Sequence, residues 1–413
     1  MIQAVVIADD LTGAADCGSA FAAAGLRTFV EAGGGTVPGD VDAISIDVDT
    51  RRMAAGAAAR LAGAVAERAS ALGPRILYKK IDSTLRGHVG AELAATLEAL
   101  RRGGAERPLV ILAPAFPAAG RTTRGGGVLV NGAPLEETEL WRDARRVGPA
   151  DLSSVLASGG LRAVLVGLDE IRGGEALARA LDRVTGQGMD VAVCDAETER
   201  DLGAIAAAGA RLESRVVWAG SGGLARHLPA ALGLRVPHRA ARRELAHDPR
   251  PVLALVGSRS GVSRDQARAL ASAAGVVALA LDPEALLAGE GDPRWPAREV
   301  AAAISAGRDL LLTLSDRPVP VERGPVLAAV VAGLVAPHLP RCAGVVATGG
   351  DVARALLGAV GAHGVHLAAE VEPGVPLGFT DTAPPLRLVT KAGGFGSPGA
   401  LVKARDAIRG GRG

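Results

Sequence analysis

Short runs of aliphatic and β-branched residues alternate with longer alanine-rich stretches along almost the whole chain. That alternation predicts βα units wound around parallel sheets. In the first half the predicted strands are Ala4–Ala8, Thr28–Glu31, Ala43–Val48, Arg75–Lys79, Leu109–Ala113, Ala163–Val166, Val191–Cys194 and Val216–Ala219. One segment departs from the pattern: Val128-Leu-Val-Asn-Gly-Ala-Pro134 carries an Asn-Gly pair between apolar residues and predicts a β-hairpin. From Leu234 to Pro251 charge and proline are dense and apolar periodicity is lost, as in a linker. The βα pattern then restarts with Val252–Val256, Val276–Leu281, Leu310–Leu314, Val345–Ala347 and Leu386–Thr390. The expected fold is α/β with two domains, each a mainly parallel sheet flanked by helices, and an active site in the cleft between them. The expected boundaries are 1–240 for a substrate domain, 241–250 for a linker and 251–413 for a nucleotide domain.

Composition narrows the partners. The 413 residues are 48% hydrophobic, and 46 basic against 44 acidic side chains leave a formal charge of +2, which implies neither a nucleic-acid nor a membrane partner. Three Trp, one Tyr and five Phe leave little for stacking nucleic-acid bases. Cys17, Cys194 and Cys342 are too scattered for a disulfide framework or a CxxC site. The first residues lack the basic stretch of a signal peptide, and the longest apolar run, Val326 to Ala336, is short of the roughly 20 residues of a membrane span. A cytoplasmic protein is expected, with a homo-oligomer left open.

Within that composition the lysines stand out. Only four of the 46 basic residues are lysine: Lys79, Lys80, Lys391 and Lys403. An ammonium is a compact point charge that a planar guanidinium does not replace at a tight site, so the positions where arginine has not taken over are candidates for chemistry with phosphate or carboxylate. Two lie in Lys79-Lys-Ile-Asp-Ser-Thr-Leu-Arg86, which packs two ammoniums, a carboxylate, two hydroxyls and a guanidinium into eight residues after a predicted strand. Asp9 and Asp10 follow the first strand, with Thr12 as the expected cap of the helix behind them, and Arg51 follows the third, placed to clamp a substrate carboxylate in bidentate fashion. The long glycine-rich stretch from Ala113 to Gly127 reads as a binding loop. All of these fall at the C-terminal ends of strands, the edge where open α/β sheets bind ligands.

The second half offers backbone instead. Gly257-Ser-Arg-Ser-Gly261, Thr348-Gly-Gly-Asp351 and Lys391-Ala-Gly-Gly-Phe-Gly396 each sit between a strand and a helix, where glycine permits close main-chain approach and helix amides receive anions. Three on one sheet edge argue for a nucleotide and its phosphates. No GxxxxGK[ST] occurs. Gly394-Phe-Gly-Ser-Pro-Gly399 matches GxGxxG, but too little chain follows for the second half of a dinucleotide fold. The seven histidines show no metal-ligand spacing, and nothing marks a hydrolytic triad.

Ala8-Asp-Asp-Leu-Thr-Gly-Ala14, Lys80-Ile-Asp-Ser-Thr-Leu-Arg-Gly87, Ala113-Pro-Ala-Phe-Pro117, Gly120-Arg-Thr122, Gly220-Ser-Gly-Gly-Leu-Ala225, Thr348-Gly-Gly-Asp351 and Thr390-Lys-Ala-Gly-Gly-Phe-Gly396 together resemble the four-carbon acid sugar kinases, in family order and over essentially the whole chain. The resemblance implies a tetronate-binding N-terminal domain, an ATP-binding C-terminal domain and phosphorylation of the terminal hydroxyl of D-threonate, D-erythronate or a 3-oxo-tetronate. Val130 to Asp143 looks more like the threonate and erythronate kinases. By matching motif, substrate contacts fall on Asp9, Arg51, Lys80, Asp82 and Ser83, and nucleotide contacts on Ser258, Gly349, Gly350, Asp351 and Gly393. The cofactors implied are ATP and Mg²⁺. Val352 replaces a threonine common in the family, and Gly399 replaces a common aspartate. Asp82, beside Lys80, is the expected general base and Asp9 a ligand of substrate hydroxyls, with Asp10 taken up by the helix start. The competing readings are a kinase of 3-oxo-tetronate or another small hydroxy acid such as glycerate, and a nucleotide-regulated binding protein without turnover.

Overall fold

A computed structural model of the chain describes residues 1–105, 107–143, 150–212, 216–234, 245–288, 295–315, 317 and 319–410. The predicted linker at 241–250 lies outside the described residues as far as 244. The chain divides into two compact units, one of residues 1–28 and 39–238, the other of residues 29–38 and 239–413.

In the first domain the strands run in the order Ala43–Asp47, Ala4–Ala8, Ile76–Lys80, Val216–Gly220, Leu109–Ala113, Val191–Cys194 and Ala163–Val166, each pair parallel. Both faces are covered, which is why these strands read as continuous apolar runs. Ala4, Val6, Ile76 and Tyr78 pack on one side with Phe21, Leu202 and Trp218. Val5, Ile7 and Leu77 pack on the other with Val65, Leu93 and Leu97. The hairpin is present: Leu129 pairs with Pro134 and Val130 with Ala133, while Asn131 and Gly132 take the positive φ (50° and 84°) that a tight two-residue turn requires.

The second domain carries Val276–Leu281, Asp309–Leu314, Val252–Val256, Gly344–Thr348 and Arg387–Lys391 in parallel. It continues with the antiparallel strands Val375–Thr380 and Gly364–Glu372, a ribbon turning at Pro373-Gly374 that the βα reading missed. Gly324–Arg341 is long and apolar enough by composition to cross a membrane, but its Leu327, Val331 and Val335 are buried in this domain and Pro337 and Pro340 interrupt its end.

One predicted strand belongs elsewhere than expected. Residues 29–38 form part of the second unit, not of a 1–240 domain. The Ala32 N–H donates to the His363 carbonyl at 2.8 Å, and the Phe29 and His366 rings lie 4.9 Å apart. Gly364 makes the packing feasible: a Cβ there would lie 2.1 Å from the Phe29 ring and 2.4 Å from the Val30 carbonyl. Strand propensity says that a segment pairs, not with which sheet. Gly364→Ala should therefore destabilise the second domain by about 1–3 kcal/mol through overpacking, measured by denaturant unfolding. An unchanged midpoint would contradict this placement of residues 29–38.

Candidate active site

Parallel strands deliver their C-terminal ends to one edge, and the register decides what meets there. Ala4–Ala8 lies between its two neighbours with Ala8 opposite Asp47 and Ile7 opposite Lys79. Asp9, Asp10, Arg51, Lys80 and Asp82 therefore converge. Asp10 caps the helix Leu11–Ala23, accepting from the Gly13 N–H at 3.1 Å and the Thr12 hydroxyl at 2.6 Å, so the cap is Asp10 and not Thr12.

The cluster is closed on itself. Arg51 Nε donates to Asp9 Oδ2 at 2.7 Å, and Nη2 donates to Asp9 Oδ1 at 3.0 Å and Asp10 Oδ1 at 2.8 Å. The bidentate partner of Arg51 is thus Asp9, where a substrate carboxylate was expected. Lys80 Nζ donates to Asp9 Oδ1 at 3.2 Å and to Asp10 Oδ1 at 3.0 Å. Gly13 makes room for this ammonium, since a Cβ there would lie 2.2 Å from Nζ. Lys80 helps to keep Asp82 ionised, as its place in the sequence suggested, though Arg86 and Arg51 contribute more. Asp82 is held by its own turn: Oδ2 accepts from the N–H and hydroxyl of Thr84 and from Arg86 Nε at 2.9 Å, and Oδ1 accepts from Arg86 Nη2 at 2.8 Å. Ser83 is buried in that turn.

Burial alone would raise the carboxyl pKa values, but Arg51 and Lys80 outweigh it at Asp9 and Asp10, and Arg86 and Arg51 outweigh it at Asp82, so all three are held below the usual range. Burial would lower Lys80, and Asp10 and Asp9 raise it instead. All these groups are ionised at neutral pH. Lys79 points to the opposite face, with its Nζ 2.7 Å from buried Glu92, which also accepts from the Thr50 hydroxyl at 2.9 Å. It pins the helix Val89–Arg102 and the Arg51 loop to the sheet.

In the second domain Val256, Thr348 and Lys391 lie side by side in register. The loops after them are stitched by Gly257 N–H to Thr348 carbonyl (3.3 Å) and Gly349 N–H to Lys391 carbonyl (2.8 Å). Gly349 has φ +100°, and Gly393 faces Ser258, whose Oγ would be 2.0 Å from a Cβ at 393. Gly350 and Asp351 open the helix Gly350–Ala359. Next to these loops is a cavity of about 230 Å³ walled by Leu255, Leu281, Leu312, Leu327, Val331 and Val352, with Gly257, Arg259 and Asp351 also lining it. An apolar slot beside amide-rich loops suits a planar base followed by phosphates.

The two domains match two family models, a sugar-binding N-terminal domain over residues 4–228 and a nucleotide-binding C-terminal domain over residues 253–401. The chain is 43% identical to a D-threonate kinase of Cupriavidus necator, covering 98% of this chain and 97% of that protein. It belongs to the four-carbon acid sugar kinase family. A D-threonate kinase of Salmonella typhimurium is 32% identical over 98% of this chain and 97% of its own length, and a D-erythronate kinase of Heliobacterium modesticaldum 30% over 90% and 89%. A solved Salmonella typhimurium LT2 protein of 22% identity shares the fold at TM-score 0.77, covering 99% of each chain.

The kinase thus brings Asp9, Arg51, Lys80, Asp82 and Ser83 together in one domain, and Ser258, Gly349, Gly350, Asp351 and Gly393 in the other. Arg86 and His88 also line the groove beside Asp9 and Lys80; the sequence reading counted the Arg86 guanidinium in its motif without giving it a contact, and did not single out His88. Of the two departures from the family pattern, one has a local reason and the other carries a small local cost. Val352 forms an apolar wall of the cavity, and a Cβ at Gly257 would meet its Cγ2 at 2.4 Å. Gly399 leaves the helix Ala400–Ile408 without a side-chain cap, a loss of a few tenths of a kcal/mol relative to aspartate.

Two substitutions test the packing around Lys80. Lys80→Arg should lower kcat/KM for the acid sugar at least about tenfold, because a guanidinium cannot occupy the ammonium's place. Gly13→Ala should do the same by displacing Nζ while the protein stays folded. Wild-type kinetics in both would show that this lysine is not specifically required.

Proposed function

We propose that the kinase transfers the γ-phosphoryl group of ATP to the terminal hydroxyl of D-threonate. The observation that carries the reading is the buried cluster of Asp9, Arg51 and Lys80 at the sheet edge of the domain matched as sugar-binding. It combines carboxylates for substrate hydroxyls with cations for an acid. D-threonate is favoured because relatives so named match at 43%, 34% and 32% identity over 98% of the chain.

Phosphoryl transfer depends mostly on positioning and on neutralising charge. Asp9 and Asp82 would each accept hydrogen bonds from sugar hydroxyls, but their surroundings separate their roles. Asp82 takes donors from Thr84 and Arg86 on one oxygen and from Arg86 on the other, so it shapes the turn Ile81–Gly87. Asp9 accepts three hydrogen bonds, from Arg51 Nε on Oδ2 and from Arg51 Nη2 and Lys80 Nζ on Oδ1, against five at Asp82. With fewer donors to displace, Asp9 takes the hydroxyl proton, which moves the role of base away from Asp82, where the sequence placed it. Arg86, half-exposed at the rim, is suited to the substrate carboxylate.

Among the described residues no group of three or more His, Cys, Asp or Glu is arranged to hold a metal. Asp351, in the first turn of the helix Gly350–Ala359 and lining the cavity beside the glycine loops, is the carboxylate that would hold a Mg²⁺ carried by the nucleotide. The ion's contribution would be to neutralise phosphate charge. Ser258 and the amides around Gly349, Gly350 and Gly393 would hold the phosphates.

A coupled assay for ADP release across four-carbon acid sugars should give the highest kcat/KM with D-threonate. Turnover with a non-acid sugar and none with any tetronate would overturn the reading. Asp9→Asn should lower kcat by roughly 10²-fold or more, and Asp82→Asn should mainly raise KM for the acid sugar. The reverse pattern returns the role of base to Asp82. Gly393→Val should weaken ATP binding with tetronate binding kept.

A further inference from the structure

Lys391 is 1% exposed at the end of the strand Arg387–Lys391, and its ammonium turns back under its own loop. Nζ donates to the carbonyls of Ala392 at 2.9 Å, Gly393 at 3.2 Å and Phe395 at 2.9 Å. Other side chains hold the same row of carbonyls. The Ser260 and Ser263 hydroxyls each donate to the Gly393 carbonyl at 2.8 Å. Gln266 Nε2 donates to Phe395, Gly396 and Ser397 carbonyls at 3.0, 3.1 and 2.9 Å. In a trans peptide the C=O of one residue and the N–H of the next point in opposite directions. Drawing the carbonyls of Ala392 and Phe395 inward therefore turns the N–H groups of Gly393 and Gly396 the other way. A run of backbone N–H groups facing one side is an anion cradle.

We propose that Lys391 is a positioning residue for the nucleotide: its ammonium holds the loop's carbonyls inward so that the loop's amides are presented to the phosphates. A tetrahedral ammonium offers three diverging donors and meets three carbonyls here, an arrangement that a planar guanidinium does not reproduce. This rests on the reading that the loop at Gly393 receives the nucleotide. Burial draws the Lys391 pKa down to about 7, opposed by Glu372, whose own carboxylate is engaged by Ser397 and Lys403. A neutral amine has only two N–H groups for three carbonyls. The presented form is therefore the protonated one, complete below pH 7 and lost as pH rises through that value.

The test compares steady-state kinetics of Lys391→Met and of the double variant Ser260→Ala, Ser263→Ala with wild type, alongside melting temperature. Both should raise KM for ATP at least about fivefold, with KM for D-threonate within about twofold and the fold retained. The rise of wild-type KM for ATP between pH 6 and 8, measured relative to Lys391→Met, should follow one ionisation near 7 that the variant lacks. If Gly393→Val weakens ATP binding and Lys391→Met does not, or if Lys391→Met affects both substrates equally with a lowered melting temperature, the lysine only supports the fold and the proposal fails. If neither Gly393→Val nor Lys391→Met affects ATP, the nucleotide reading of the loop fails and takes this proposal with it.

Discussion

Ions removed from water cost several kcal/mol each unless opposite charges and hydrogen bonds replace the solvent. The first domain buries Asp9, Lys80 and Asp82 and partly buries Asp10 and Arg51 at one sheet edge, and the geometry around them follows from that constraint. Each carboxylate meets a cation at hydrogen-bond distance, and Arg51 and Lys80 both bridge Asp9 to Asp10. Removing one partner would leave another charge uncompensated, so the cluster is rigid as a unit. A rigid, ionised, partly enclosed array suits the recognition of a small polyhydroxy acid, whose hydroxyls and carboxylate can replace some of these contacts in kind.

The second domain solves a different problem with backbone. A nucleotide's phosphates need many donors close together, and the proposed phosphate loops, rich in glycine at strand ends, offer backbone amides without bulk. Such loops must still be held in one shape. The donors that fix their carbonyls come from Lys391, Ser260, Ser263 and Gln266, and Glu372 with Lys403 closes the far side. Each of the four lysines of the chain is engaged by specific partners. Lys79, Lys80 and Lys391 are buried, and Lys403 is paired with Glu372 at 2.9 Å. Arginine has taken the remaining basic positions.

Much of this was legible in the sequence because parallel sheets translate order into place. Apolar runs gave the strands, and residues just after them had to fall on the ligand edge, so Asp9, Arg51, Lys80 and Asp82 were found together. What the sequence could not supply was pairing. Thr28–Glu31 reads as a strand, but from Phe29, whose ring packs on His366, the chain belongs to the second unit. The antiparallel strands Gly364–Glu372 and Val375–Thr380 were missed because their polar and apolar residues do not alternate cleanly. Lys391 stands out in the sequence as one of four lysines, but its carbonyl partners are set by loop geometry with no sequence signature. Likewise, which cation holds Asp82 depends on the turn that brings Arg86 back to it.

Four lysines make the central claim directly measurable. With isotope-labelled lysine, each side-chain nitrogen gives an NMR signal assignable by single substitution. The account predicts that Lys80 stays protonated throughout the neutral range and that Lys391 titrates near pH 7. D-threonate should shift the Lys80 signal and leave Lys391 in place, and a non-hydrolysable ATP analogue should do the opposite. If Lys80 and Lys391 instead titrated together near the ordinary lysine value of about 10.4, and neither responded to its ligand, the assignment of these ammoniums to the two binding sites would be contradicted.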